Sequence, residues 1–125
     1  MVELIDLIRR RSVYVEYKKG FVYSDKCSDQ EVFDNIVVLS CRNKGITRIP
    51  LMGSLQILYC ENNQIMNIPS MPKLQYLYCQ NNPITSISYI PSLLVLDYWY
   101  DTTNNMTSFD VFCRIFDIYT VGITR

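Results

Sequence analysis

Apolar and polar positions recur at a fixed spacing through the middle of this chain. The stretches LQILYCENNQ and LQYLYCQNNP begin at Leu55 and Leu74, which are 19 residues apart. The same spacing relates four copies between residues 36 and 106, with six columns of positions in register. Each copy has the form L-x-x-L-x-C-x-x-N-x-I-x-x-I, and a proline follows it in the first two. A period of this length indicates one structural unit stacked several times.

The columns hold similar residue types from copy to copy. They are Ile36, Leu55, Leu74 and Leu93; Leu39, Leu58, Leu77 and Leu96; Cys41, Cys60, Cys79 and Tyr98; Lys44, Asn63, Asn82 and Asp101; Ile46, Ile65, Ile84 and Thr103; Ile49, Ile68, Ile87 and Met106. A single unit cannot bury its apolar column, whereas stacked units place leucine on leucine in one core. We therefore expect one short parallel strand per copy, followed by an extended or single-turn return segment. The strands centre near Val38, Ile57, Tyr76 and Val95.

This motif resembles the leucine-rich repeat over residues 36 to about 106. The Cys column with Asn-Asn and Ile-Pro looks most like the repeats found in giant DNA viruses of amoebae. The resemblance implies an α/β repeat fold, a short leucine-rich-repeat solenoid with a parallel β-sheet. It also implies a viral, non-enzymatic protein-protein interaction module. The fold does not name the partner.

The cysteine column has a chemical and an architectural interpretation. A zinc site needs about four ligands, usually in closely spaced pairs, and this chain has no histidine and no C-x-x-C. A disulfide between neighbouring units needs Cβ atoms closer than in-register parallel strands provide. We therefore predict that Cys41, Cys60 and Cys79 pack as small buried apolar residues, with no metal and no other cofactor. Asn63 and Asn82 are predicted to be buried, where their amides pair with backbone groups of the bend.

The strand positions between the columns should form the exposed side of the sheet, which we call the concave face. It comprises Val38, Ser40 and Arg42 in the first copy. The later copies supply the predicted partner-binding residues Ile57, Tyr59, Glu61, Tyr76, Tyr78, Gln80, Val95, Asp97 and Trp99. Large aromatic side chains at exposed positions are typical of interface hot spots. The alternative is that the tyrosines support the sheet as cross-strand pairs.

The segments on either side of the repeats are expected to cover the ends of the stack, within a single domain of residues 1–125. Residues 1–35 are the predicted N-terminal cap. It has a helix within 3–11, a hairpin around Lys18-Lys19-Gly20, and a short helix that begins with a Ser28–Glu31 capping box and ends near Asn35. Residues 36–106 are the repeats. Residues 107–125 form a predicted C-terminal helix and tail, and this helix either caps the stack or binds a partner.

Composition narrows the function classes further. Twelve basic residues balance twelve acidic ones, so no global field favours nucleic acid or an anionic membrane. No apolar run reaches the ~18 residues of a membrane span, and MVELIDLIRRR has the wrong order for a secretory signal. Five cysteines fit a reducing compartment, so we expect a cytoplasmic protein, or one in host cytoplasm or virion if it is viral.

Catalysis is not expected from this sequence. The usual general base is missing because the chain lacks histidine, and four glycines in all form no phosphate-binding loop. The leading hypothesis is a non-enzymatic module that binds a protein partner on the concave face. The alternative is a structural or assembly component of a larger complex such as a virion.

Overall fold

The structure is a computed structural model that describes residues 2–97 of the chain. Trp99, the fourth-copy positions from Tyr98 onward and the predicted C-terminal helix at 107–125 lie outside the described residues. The described part contains two helices and seven strands. In chain order they are α1 (Leu4–Arg9), β1 (Tyr14–Tyr17), α2 (Asp29–Asp34), β2 (Ile36–Ser40), β3 (Ile57–Tyr59), β4 (Asn67–Ile68), β5 (Tyr76–Tyr78), β6 (Ser86–Ile87) and β7 (Val95–Asp97).

The main sheet has five strands in the order β1-β2-β3-β5-β7. β2, β3, β5 and β7 run parallel, and each pairs with the next in the 19-residue register of the sequence. One row of aligned Cα positions thus passes through Val38, Ile57, Tyr76 and Val95. The predicted parallel strands are confirmed at the expected positions.

The return segments are extended, as predicted. β4 and β6 form a second, two-stranded parallel sheet in which Asn67 pairs with Ser86 and Ile68 with Ile87. The Thr85 N–H donates to the Met66 carbonyl at 2.8 Å beside this pair. With 19 residues per copy, each turn back to the next strand is made without a helix in the described repeats.

The core lies between the two sheets and consists of the apolar columns. Leu39, Leu58 and Leu77 are completely buried, and the isoleucine columns are buried beside them. Each fully buried side chain of this size stabilises the fold by about 1.5–3 kcal/mol relative to leaving it exposed. A further buried column, formed by Met52, Met71 and Ile90, has the same spacing and was not among the six predicted columns.

Two helices precede the repeats where the sequence predicts them. Leu4, Leu7 and Ile8 form the buried side of α1 and belong to the same core cluster as the leucine columns. At the start of α2, the Glu31 N–H donates to Ser28 Oγ at 3.1 Å, and the Ser28 N–H donates to Glu31 Oε1 at 3.0 Å. This is the predicted capping box, and α2 ends at Asp34 with Asn35 as its C-cap. Neither helix in residues 2–97 has the length and apolar character needed to cross a membrane.

The predicted hairpin around Lys18-Lys19-Gly20 is wrong. Residues 21–24 form no strand, and β1 instead pairs antiparallel with β2. The Lys18 N–H continues this pairing by donating to the Asn35 carbonyl at 2.8 Å. Pairing with β2 covers the open edge of the first repeat, which would otherwise leave a row of backbone groups unpaired.

Aromatic side chains connect the chain after the turn to β1. The Tyr17 ring stacks on the Tyr23 ring with centroids 5.9 Å apart and contacts Phe21 at 5.2 Å. In the turn itself Gly20 has a φ of +93, a backbone conformation that residues with a side chain rarely adopt. Residues 21–24 are therefore held by the ring contacts of Phe21 and Tyr23 with Tyr17, rather than by the backbone hydrogen bonds of a strand.

Candidate interaction face

The parallel register brings the predicted contact residues together on one side of the sheet. Tyr59 pairs with Tyr78, and Tyr78 pairs with Asp97, in a row two residues along the strands from the row that contains Ile57, Tyr76 and Val95. Because alternate residues of a strand point to the same side, these two rows share the concave face. The predicted residues from Ile57 to Asp97 that lie in strands are therefore neighbours in space, whereas Trp99 lies outside the described residues.

An aromatic stack with a cation on one end occupies the middle of the concave face. The Tyr59 and Tyr78 rings are nearly parallel, with an interplanar angle of 8° and centroids 4.9 Å apart. Arg42 Cζ lies 4.5 Å from the centroid of the Tyr59 ring. Arg42 Nε also donates to Glu61 Oε2 at 3.0 Å, so this guanidinium contacts both a ring and a carboxylate. Such contacts hold the rings in one orientation across three strands.

Exposure is uneven over this face. Tyr59, Tyr76, Tyr78 and Ile57 are half-buried, because neighbouring side chains cover part of each ring or chain. Val95 is 37% exposed. The two tyrosines of the stack therefore contribute to support of the sheet, and part of each remains open to a partner.

Two residues of β1 extend the concave face beyond the predicted set. Tyr14 lies opposite Ser40 and Glu16 opposite Val38, and directly opposed residues of an antiparallel pair point to the same side. Tyr14 is 57% exposed and its hydroxyl donates to Glu16 Oε2, which raises the pKa of Tyr14. The alternating residues 12–17 (SVYVEY) indicate that Tyr14 and Glu16 lie on the same side of a strand. They do not indicate which strand β1 pairs with.

The charges on the face are unbalanced. Glu16, Glu61 and Asp97 supply three carboxylates, and Arg42, which follows β2, is ion-paired with Glu61. The second Glu61 oxygen, Oε1, and Gln80 Oε1 are buried without a hydrogen-bond partner among residues 2–97.

The cysteine column lies directly beneath the face. Cys41, Cys60 and Cys79 are free thiols and completely buried, which confirms the packing prediction. Burial raises the pKa of Cys41 to about 12, and the negative charge of Glu61 adds to this effect. Burial likewise raises the pKa of Cys60 and of Cys79. These thiols are neutral packing groups at ordinary pH.

The two column asparagines are buried and bridge neighbouring repeats, as predicted. Asn63 Oδ1 accepts from the N–H groups of Lys44 and Ile46, at 2.9 and 3.1 Å. Asn63 Nδ2 donates to the carbonyls of Cys41 and Cys60, both at 2.9 Å. Asn82 repeats this pattern one copy later, with donation to Cys60 and Cys79 and acceptance from Ile65. The amides fix the bend at the end of each strand.

In residues 2–97, no group of three or more His, Cys, Asp or Glu side chains is placed to hold a metal ion. Cys27 lies outside the column and is half-buried, with its thiol 3.7 Å from Ser24 Oγ. Cys113 lies outside the described residues.

Comparison with known proteins supports the repeat assignment. Residues 53–93 match the family model described as Leucine Rich repeats (2 copies). No curated protein and no solved structure gives a significant match to the chain. The matched range contains β3 to β6 and the Tyr59–Tyr78 stack, which form the middle of the candidate face. Leucine-rich repeats are typically non-enzymatic modules that mediate protein-protein interaction. Viral origin and cytoplasmic location stay predictions.

Proposed function

We propose that this protein is a non-enzymatic interaction module whose concave face binds a protein partner. The observation that supports the proposal is a group of partly exposed aromatic and apolar side chains on one face: the Tyr59–Tyr78 stack, exposed Tyr14 on the outer strand, and exposed Val95. Tyrosine provides a large contact area with a polar tip, which is why it is enriched at interfaces. The family match supports binding in general, and the surface supports this face in particular.

Support of the sheet accounts for only part of this surface. The stack explains Tyr59 and Tyr78, because cross-strand aromatic pairs stabilise neighbouring strands. It does not explain Tyr14, which lies at the outer strand with more than half of its side chain exposed. A stacked pair also has little rotamer freedom left to lose, so a partner that contacts it pays a smaller entropic cost.

The size of the face limits the partner. Five strands at about 4.8 Å spacing give a width of about 19 Å. This width fits one helix or one loop, and such a contact is at the small end of specific interfaces. We therefore propose that the partner presents a single segment rather than a broad surface.

The proposal is tested by affinity capture from the cells in which the protein is naturally made. The full chain serves as bait in three forms: wild type, Tyr14→Ala/Tyr78→Ala, and the matched control Tyr89→Ala. Tyr89 is 39% exposed and lies outside the concave face, so it controls for loss of a surface tyrosine. Thermal unfolding verifies that each form is folded.

The wild type and the Tyr89→Ala control are expected to recover the same partner. The double variant should recover about tenfold less or worse, because tyrosines at an interface core each contribute on the order of 1–2 kcal/mol or more. Equal recovery by a folded double variant would show that the concave face is not the contact surface.

A further inference from the structure

We infer that the partner segment carries arginine or lysine side chains, an inference that rests on the binding function proposed above. The chain as a whole is neutral, with twelve basic and twelve acidic residues. On the concave face Glu61 is ion-paired with Arg42, whereas the exposed carboxylates of Glu16 and Asp97 form no ion pair within residues 2–97. Interfaces are arranged so that opposite potentials meet, so a face of this charge selects a basic segment.

Arg42 shows how the face holds a cation. Its guanidinium carbon lies 4.5 Å from the centroid of the Tyr59 ring, and its Nε lies 3.0 Å from Glu61 Oε2. Attraction between a cation and the face of an aromatic ring is worth a few-fold in affinity at exposed sites, and arginine is the commonest cation in such pairs. Arg42 occupies this position at one end of the Tyr59–Tyr78 stack.

The other end of the stack offers the same combination of groups to a partner. Tyr59 covers one side of the Tyr78 ring, so the opposite side of the ring is turned toward β7. There Asp97 is the register partner of Tyr78, and its side chain is exposed. A guanidinium or ammonium group placed over Tyr78 beside Asp97 would contact a ring and a carboxylate, as Arg42 does.

Arginine and lysine carry hydrogen-bond donors and no acceptors, so either side chain can pair with the exposed carboxylates of Glu16 and Asp97. The same carboxylates repel phosphate groups, so the face does not suit nucleic acid.

The inference is tested with a phage-displayed library of random 12-residue peptides, selected on the immobilised full chain. Clones that also bind Tyr14→Ala/Tyr78→Ala are removed, which leaves peptides that depend on the concave face. Synthetic versions are then titrated by fluorescence anisotropy against wild type and Glu16→Gln/Asp97→Asn. The matched control is Asp6→Asn/Asp34→Asn, which removes two exposed carboxylates from α1 and α2.

Face-dependent peptides are expected to be enriched in arginine and lysine. Their Kd should rise about 2- to 5-fold per carboxylate removed from the face, the range of an exposed ion pair, and should be unchanged in the control. Binding should also weaken as salt is raised. Face-dependent peptides without basic enrichment, or with a Kd indifferent to Glu16→Gln/Asp97→Asn, would overturn this inference and leave the proposed function standing. Failure to recover any face-dependent peptide would count against both.

Discussion

The buried amide of Asn63 joins two repeats through hydrogen bonds to their backbone groups. It accepts from two N–H groups of the preceding repeat and donates to carbonyls of both repeats. Each buried backbone group left without a partner costs about 1–3 kcal/mol. The Asn63 side chain thus determines whether these backbone N–H and C=O groups have this hydrogen-bond partner.

Replacing this amide should therefore destabilise the fold strongly. We expect Asn63→Ala to lower the free energy of unfolding by about 2–4 kcal/mol, because several backbone groups lose their partner together. Gln64→Ala is the matched control, since Gln64 is the exposed neighbour, and its cost should stay within about 0.5 kcal/mol. Urea unfolding followed by circular dichroism measures both. Similar losses of unfolding free energy in the two variants would show that the Asn63 amide does not bridge the repeats.

The sequence analysis predicted the role of one asparagine column and made no prediction for the column beside it. The role of Asn63 and Asn82 followed from their recurrence and polarity. The adjacent column, Asn43, Asn62 and Asn81, has left-handed backbone with φ of 57, 59 and 58. Asparagine is one of the few residues other than glycine that adopts this conformation readily. The Asn-Asn pairs at 62–63 and 81–82 are visible in the sequence. The role of the first asparagine of each pair depends on its backbone angle, which the pattern of side chains does not give.

At the level of elements, the cysteine column places one thiol in the core immediately after each of the strands β2, β3 and β5. Cys41, Cys60 and Cys79 are completely buried, and burial raises the pKa of all three. The neutral thiol is therefore the form that the fold accommodates. A thiolate in the same place would be a charge without solvent, near the carboxylate of Glu61.

This column predicts a loss of stability in alkali. Because the folded pKa lies above the ordinary value of 9.0, the stabilisation is complete below pH 9 and is lost as pH rises toward the folded pKa. Between pH 9 and 11, the free energy of unfolding should fall more steeply in wild type than in Cys60→Ala, by about 1.4 kcal/mol per pH unit. Chemical unfolding at a series of pH values measures the difference. Parallel slopes would mean that Cys60 is not desolvated.

The stack between β3 and β5 contributes to stability as well as to the surface. Parallel rings with centroids 4.9 Å apart should couple by about 0.5–1.5 kcal/mol beyond their burial. A double-mutant cycle with Tyr59→Leu and Tyr78→Leu isolates this coupling energy. Additive effects of the two substitutions would show that the stacked rings do not stabilise each other.

Which elements form was easier to predict than which elements pair. The helices α1 and α2, the parallel strands and the extended returns follow from local spacing and capping residues. The hairpin prediction failed because β1 has an alternating pattern that fits any open edge, and the pattern does not state which edge is available. The available edge is that of β2, the first strand of the repeats. Without β1, the side of β2 that faces away from β3 would have no partner strand.

For the whole molecule, the pairing of β1 with β2 changes the candidate face. Four strands of the repeats become a sheet of five, and Tyr14 and Glu16 join the concave face at its outer strand. Most of the described face was predicted, since Ile57 through Asp97 follow directly from the repeat register. The contribution of β1 depends on a contact between segments far apart in sequence, which periodicity within the repeats cannot reveal.

If the proposed function is right, a partner occupies the concave face rather than the return side. Amide chemical-shift mapping by NMR distinguishes the two surfaces when the full chain is titrated with the captured partner or a face-dependent peptide. The largest perturbations are expected at Tyr14, Tyr59, Tyr78 and Asp97, while Met66 and Thr85 on the return side stay unchanged. Perturbations that cluster on β4 and β6, with β1, β3 and β5 unaffected, would contradict the proposed function.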